Sequence, residues 1–519
     1  MPTKNRSDAV HELGVSTAKG SIIFVAAQII SSLITLVLLV GMTRLLRPAD
    51  YGFYSIAVAF AAFLGMGGRF GMGTALRKML PESTGRKRII ELISNSYFLA
   101  GVIAIAIAAL GIIFAGPIAV AIYKTPSITL PLQIAAVVVF LTAIMEMVFA
   151  ALVGLGMIKE AAIADIVYSI VQAVASVALV LAGHGVTGAM VGYALGFVFG
   201  IAMGSFYLIR RIGLKATSPS TKTLGELAKF TVPIVVSNVS ALGATNFAVL
   251  ILGVYASAQV VGNYGAAYRL GSLFIVILTS VTFILLASFS KAFSKKNLSK
   301  SIERIYNASL EYSLVFVLPL LAFLVAVAVP VSRLLFSSAY ALAPLYFDVV
   351  AFGTVLGIVG SFAGTLIISY GDTRRFMYYQ MAVIAVEFIL LLALTPLFLA
   401  RGTLLAVFII APLLSNAIYI MALERQFSIS INWGKLLRIV LPSLLLWVLA
   451  AIISMALHQH LATILMDAAL FLLLYPPLMA LAKAVDKKDI LFLRHVADRL
   501  RGVGAPIEYL LRYTELFIK

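Results

Sequence analysis

Long apolar runs separated by short polar turns recur from residue 20 to residue 483, and this block pattern sets the elements before any single residue is weighed. A helix crossing a bilayer needs about 20 mostly apolar residues, because lipid offers a backbone amide no partner outside its own segment. Runs of that length predict fourteen spans, at roughly 20–43, 51–75, 92–116, 130–154, 160–182, 186–209, 230–254, 262–289, 307–329, 346–370, 376–399, 403–423, 437–457 and 462–483. The alternating decamers of a membrane barrel are missing, so the spans are helical. The first run, Ile22 to Met42, is too long for a signal-peptide core and no small-residue cleavage pattern follows it, so it stays a mature helix.

Composition agrees. The 519 residues are 62% apolar and 12% charged, against about 25% charged in soluble domains. The expected fold is an all-α polytopic membrane protein with about fourteen transmembrane helices. A net charge of +18 suggests a nucleic-acid partner at first sight, but the charges sit in loops between spans and form no continuous face. With the N-terminus inside, 32 of the 39 Lys and Arg fall in cytoplasmic segments. The outer loops hold five: Arg44, Arg47, Lys124, Arg333 and Arg401. The positive-inside rule then puts both termini in the cytoplasm, beside the anionic inner leaflet of the plasma membrane. There is no cysteine, which removes disulfides, thiolate metal sites and cysteine nucleophiles.

Sliding the chain against itself by about 213 residues superposes Asp50-Tyr51-Gly52 on Asn263-Tyr264-Gly265, a shift of 212 brings Asn95 to Asn307, and one of 215 brings Lys159 to Arg374. Together these outline two six-helix lobes that start on the same side, a parallel repeat about the membrane normal. The expected organisation is an N-tail at 1–19, an N-lobe at 20–209, a basic linker at 210–229, a C-lobe at 230–423, two added helices within 424–483 and a tail at 484–519. In the tail, Ile490, Phe492, Leu493, Val496 and Leu500 alternate with Arg494, Arg499 and Arg501. That mixture reads as an amphipathic helix on the inner leaflet, with a solvated tail as the alternative.

The elbow Arg44-Leu-Leu-Arg-Pro48-Ala-Asp50-Tyr51-Gly52-Phe-Tyr54-Ser and the later Gly71-Met-Gly73-Thr-Ala75-Leu-Arg77 resemble the opening of the polysaccharide-biosynthesis membrane proteins. These are lipid-linked oligosaccharide flippases of the multidrug/oligosaccharidyl-lipid/polysaccharide (MOP) exporter superfamily. The tail Asp486-Lys-Lys-Asp489-Ile-Leu-Phe-Leu-Arg is similar to that of archaeal members. The resemblance implies a V-shaped pair of lobes whose cavity opens alternately to each side, carrying a polyprenyl-linked sugar outward without ATP hydrolysis. It also implies glycan-assembly enzymes as partners. The chain has no GxxxxGK[ST] phosphate loop, and it departs from the family pattern at Arg69.

A flippase must carry a phosphate or pyrophosphate through the dielectric barrier, and Arg69 and Arg269 are the basic residues predicted within spans. A charge at that depth costs about 2.5–3.5 kcal/mol. Each either contacts the phosphate through its planar fork of donors or snorkels to the headgroups. The glycines around Arg69, from Gly65 to Gly73, suit either a flexible bend or close helix packing through Gly67 and Gly71. Among acids, Asp165, Glu311 and Asp348 fall near span ends. Glu146 and Glu387 lie deeper and are the candidates for coupling to H+ or Na+; no other cofactor is expected. The alternative for both is an inter-helical hydrogen bond or a pair with arginine. Gln28, Asn238 and Asn246 either line the cavity as polar partners for sugar hydroxyls or join helices, and Pro233 marks a bend. His184, His458 and His460 lie far apart in outer turns, and no metal site is expected.

Two rival functions remain at the sequence level. A multidrug/cation antiporter of the same superfamily favours acids on helices one and seven, and this chain has none there. A membrane glycosyltransferase calls for acids in outer loops, which offer Asp50 and little else. The reading is therefore a transporter and not an enzyme.

Overall fold

The computed structural model describes residues 6–69, 71–83, 85–213, 217–293, 299–456, 461–487, 489–491, 494 and 504–517. The side chains of some helical residues, including Arg69, Pro233 and Asn238, lie outside this description. Among the described residues there are seventeen α-helices and no strand. They are α1 (Arg6–Leu45), α2 (Pro48–Arg69), α3 (Met72–Glu82), α4 (Arg86–Pro117), α5 (Thr129–Gly154), α6 (Ile158–Leu179), α7 (Gly185–Ile212), α8 (Thr221–Tyr255), α9 (Ala258–Phe293), α10 (Ser299–Ala326), α11 (Ala328–Leu335), α12 (Ala343–Tyr370), α13 (Thr373–Leu404), α14 (Ala411–Phe427), α15 (Trp433–Ala456), α16 (Leu461–Leu481) and α17 (Gly504–Glu515). Fourteen of them occupy the fourteen apolar runs, and α3, α11 and α17 are short additions.

Ten stretches among the described residues are long and apolar enough to cross a membrane. Two of these, Ile158–Ile212 and Arg374–Phe427, run for 55 and 54 residues. A straight helix of that length would be about 80 Å long against a hydrocarbon core of about 30 Å, so each must turn back. The first reverses at Gly183 and Gly185, with φ of 90° and 50°, and the second at Leu399, with φ of 51°.

The run at 51–75 is not the single helix expected. It ends at Arg69, and Gly71 adopts a left-handed conformation (φ 66°, ψ 4°) before α3 begins. Glycine reaches that region without a Cβ clash. Gly67 and Gly71 therefore do not lie on one continuous helix face.

The chain forms two compact units, Met1–Leu270 with Gln380–Thr403, and Gly271–Tyr379 with Leu404–Lys519. In the first, Leu76, Leu80, Leu92, Met147, Val148 and Leu152 form a core between α3, α4 and α5. The outer faces carry large apolar side chains such as Leu33 and Val37 of α1, at 57% and 69% exposure, as lipid-facing helices require.

The same unit holds the crossing of α2 and α9. A Cβ on Gly52 would overlap the Ala258 carbonyl oxygen, and one on Gly262 would overlap that of Pro48. Gly265 faces Ser55 in the same way. The touching pairs 52/262 and 55/265 are both 210 apart, whereas the triplets superpose at 213. The Asp/Asn-Tyr-Gly triplets match by composition, whereas the glycines at register 210 make the contact. Both helices meet near their first turns.

A second pair of matching features appears at register 212. On α4, buried Asn95 accepts from Ser220 N at 2.8 Å, and Glu91 accepts from the Thr223 hydroxyl. In the second unit Asn307 of α10 accepts from Asn432 N at 3.1 Å, and Glu303 accepts from Ser430 N and Oγ at 3.1 and 2.6 Å. Each Glu-x-x-x-Asn pair, one helical turn apart on a single face, clamps the segment that starts a later helix, α8 in one case and α15 in the other. The added helix α15 thus begins as α8 does.

The second unit packs Ala326 of α10, Leu446 and Ala450 of α15 and Phe471 of α16 together. Lys435 bridges Glu311 at 2.9 Å and Asp489 at 3.2 Å, and Tyr312 donates to Asp489 at 2.9 Å. Of the tail residues singled out from sequence, Ile490 is buried at 1% exposure, and Arg494 pairs with Glu515 at 2.8 Å. Phe492, Leu493, Val496, Leu500, Arg499 and Arg501 lie outside the described residues. Helix α17 seats on α16, where the Tyr513 hydroxyl donates to the Leu473 carbonyl at 3.1 Å.

Candidate functional site

Arg269 lies on α9 eleven residues after Ala258, about 16 Å along the helix at 1.5 Å per residue. Helical Cα–Cβ bonds tilt toward the N-terminus, so its side chain reaches back toward the α2 crossing. There the half-buried guanidinium lies within electrostatic reach of four tyrosines: Tyr54 and Tyr51 of α2, Tyr193 of α7 and Tyr168 of α6.

Helical spacing assembles this surround. Tyr51 and Tyr54 are three apart, with ring centroids 5.7 Å apart. Tyr168 and Gln172 are four apart on α6, and the Gln172 side chain lies close to Tyr54. Tyr193 and Phe197 are four apart on α7 and meet edge to face at 5.2 Å; Phe197 also meets Tyr168 at 4.6 Å. On α9, Tyr264 and Tyr268 stack at 6.5 Å. Tyr51, Tyr54 and Gln172 are all buried. Close packing of α6 on α7 needs small residues there, and Cβ atoms on Gly192 and Gly196 would collide with Ser176 and Gln172.

In the same unit, Phe63, Phe247 and Phe388 pack in series with tilted rings, their centroids 5.9 and 4.4 Å apart. Glu387 precedes Phe388 on α13; it is buried and interacts electrostatically with Tyr264. Asn246 precedes Phe247 on α8 and is half-buried. The structure therefore places Arg269, Asn246 and Glu387 in the same compact unit.

The other sequence candidates lie elsewhere or undescribed. Gln28 is exposed on α1. Arg69 is the last residue of α2, and its side chain and that of Asn238 on α8 lie outside the described residues, as do His458 and His460; His184 is exposed in the turn before α7. Glu146 accepts from Arg77 of α3 at 2.9 Å, in space that Gly73 leaves open, since a Cβ there would overlap the carboxylate. Asp165 accepts from Ser31 at 2.7 Å, Glu311 pairs with Lys435, and Asp348 Oδ1 is enclosed with no hydrogen-bond partner among the described residues.

Sequence reasoning passed over the tyrosines and Gln172. Their signal was present: polar-tipped aromatics at three- or four-residue spacing inside apolar runs. It also passed over Asp467 of α16, fully buried, whose two carboxylate oxygens have no hydrogen-bond partner among the described residues. Among the described residues no cluster of three or more metal-ligating side chains occurs.

A family model described as polysaccharide biosynthesis protein matches residues 41–344. The chain belongs to that family. No curated protein matches it. Among solved structures, the lipid II flippase MurJ in an inward closed conformation is similar to this polysaccharide biosynthesis protein with a TM-score of 0.73 at 16% identity, covering 89% of this chain and 98% of that one. An inward-facing multidrug resistance MATE family transporter of the MOP superfamily gives 0.61 at 16% identity, covering 78% and 99%. A MOP superfamily transporter from Pyrococcus furiosus gives 0.55 at 16% identity, covering 80% and 95%. The shared feature is the fold, the multi-pass helical architecture of MOP transporters.

Proposed function

We propose that this polysaccharide biosynthesis protein flips a polyprenyl-(pyro)phosphate-linked oligosaccharide from the cytoplasmic to the outer leaflet of the plasma membrane. Two lobes give alternating access, both termini stay in the cytoplasm, and glycan-assembly enzymes supply the substrate. The observation that carries the reading is Arg269 among the hydroxyls of Tyr51, Tyr54, Tyr168 and Tyr193. A guanidinium offers a planar fork to phosphate oxygens, while phenol hydroxyls and ring faces suit a sugar. The family assignment supports the substrate class.

Glu387 is the candidate for H+ or Na+ coupling, because Glu146 is engaged by Arg77 and Glu387 makes no ion pair among the described residues. In proteoliposomes carrying a fluorescent polyprenyl-pyrophosphate sugar, Arg269→Ala slows flipping by about tenfold or more, the worth of one charged hydrogen bond, and Arg269→Lys recovers part of the rate. Arg69→Ala is measured alongside it. Wild-type rates in both alanine variants would remove the phosphate-binding role of these arginines.

A second reading, a drug or cation antiporter, rests on the buried carboxyl of Glu387. Uptake of a cationic dye that stops in Glu387→Gln, with no flipping of the lipid-linked sugar, would select it.

A further inference from the structure

The second unit has a basic crevice that the proposed transport does not use. It has a volume of about 250 Å3 and is lined by Arg375, Tyr379, Met421, Arg425 and Gln426 with apolar neighbours. Arg375 lies in the first turn of α13, and Arg425 and Gln426 lie in the last turn of α14. The two helix ends meet on the side that the Lys and Arg distribution assigns to the cytoplasm, at the membrane boundary.

The donors outnumber the acids. Asp372, the carboxylate in contact with the lining residues, is already engaged: it pairs with Arg375 at 3.2 Å, accepts from Arg375 N at 3.2 Å and accepts from Gln426 Nε2 at 3.2 Å. Arg425 makes no ion pair among the described residues. Arg374, one residue from the crevice, lies over the Tyr378 ring with its guanidinium carbon 5.8 Å from the centroid. Counting Arg374 and Glu424, each one residue outside the crevice, the local balance is three guanidinium groups to two carboxylates.

A further observation narrows the ligand. With its amide nitrogen on Asp372, Gln426 has its carbonyl oxygen enclosed and without a hydrogen-bond partner among the described residues. An anion without a hydroxyl satisfies the arginines and leaves that acceptor empty. A group with both an anionic phosphate and free hydroxyls satisfies both, and the Tyr379 hydroxyl adds a donor or acceptor. Basic pockets between helices at the cytoplasmic boundary suit anionic headgroups.

We propose that the crevice formed by Arg375, Tyr379, Arg425 and Gln426 binds a phosphate ester that carries free hydroxyl groups, with Arg375 and Arg425 on the phosphate and Gln426 Oε1 accepting from a hydroxyl. Two sources share this chemistry: the headgroup of a polyol phospholipid in the adjoining leaflet, and a soluble polyol phosphate. The first keeps the inner end of the α13–α14 hairpin at headgroup level.

The test compares full-length wild-type protein with Arg375→Gln/Arg425→Gln, using native mass spectrometry after reconstitution with phosphatidylglycerol or phosphatidylcholine, with glycerol 1-phosphate as the soluble probe. At about 1 kcal/mol for each basic residue at an anionic surface, the double variant loses about 30-fold in affinity. Retention of phosphatidylglycerol over phosphatidylcholine that drops in the variant identifies a lipid headgroup. Binding of glycerol 1-phosphate that drops in the variant, without a lipid preference, identifies the soluble source. Equal phosphatidylglycerol retention by the two proteins, with no glycerol 1-phosphate bound by either, overturns the site. Gln426→Leu separates a built site from simple charge attraction: it lowers phosphatidylglycerol retention while leaving both arginines in place, and unchanged retention overturns the hydroxyl contact. Flipping that depends on Arg269 is scored separately, so the two proposals fail independently.

Discussion

Gly52 and Gly262 pack backbone to backbone, the Cβ position of each lying 3.1 Å from the other's amide nitrogen. This reciprocal contact joins the first turns of α2 and α9 and sets the level at which Tyr51, Tyr54 and Arg269 meet. A side chain at either position strikes a carbonyl oxygen of the opposing helix, which cannot move aside as a flexible side chain does. Gly52→Val and Gly262→Val are therefore each expected to destabilise the protein by at least the 1–3 kcal/mol typical of overpacking. Gly265→Ala meets the movable Ser55 hydroxyl and should cost less. Thermal unfolding in detergent checks the order; a Gly265→Ala loss as large as that of Gly262→Val would contradict it.

The Asn clamps give a graded outcome. Asn95 is fully buried, and Asn307 is half-buried. Asn95→Ala leaves Ser220 N without its acceptor, a loss of about 1–3 kcal/mol for a buried group. Asn307→Ala should cost less, since water can reach the freed groups. Hydrogen exchange at residues 217–223 and 430–435 should quicken only in the corresponding variant.

Lys435 stands between two carboxylates, and the side chains of Glu311 and Asp489 are each 11% exposed. Removing one partner of a largely buried pair leaves uncompensated charge, at about 3–5 kcal/mol for a fully buried case and less here because the pair retains some solvent. Lys435→Met is expected to loosen the segment around Asp489 and expose the tail to protease. Adding Glu311→Gln should restore part of the protection, and no recovery would show that the bridge does not hold the tail.

Asp467 sits in α16 with both carboxylate oxygens enclosed and unpartnered among the described residues. An unsatisfied buried polar group costs about 1–3 kcal/mol, so Asp467→Leu is expected to keep or raise the melting temperature. A clear fall would mean that the carboxylate has a partner.

The register of the internal repeat shows where sequence reading stops. The Asp50-Tyr51-Gly52 and Asn263-Tyr264-Gly265 triplets look alike because the residue types agree. The contact that matters pairs Gly52 with Gly262, because only backbone against backbone demands glycine at both positions. Glu146 shows the same limit. Its depth in an apolar run was visible and an arginine pair was one of its alternatives, but the choice of Arg77, 69 residues away, was not.

The fourteen apolar helices were determined by the chain alone, because bilayer thickness and backbone hydrogen bonding act within each segment. The break at Gly71, the tyrosines around Arg269, the register of 210 and the enclosed Asp467 were decided only by tertiary structure. Each depends on which helix faces which, and in an apolar environment that choice rests on small residues and close packing spread along the chain.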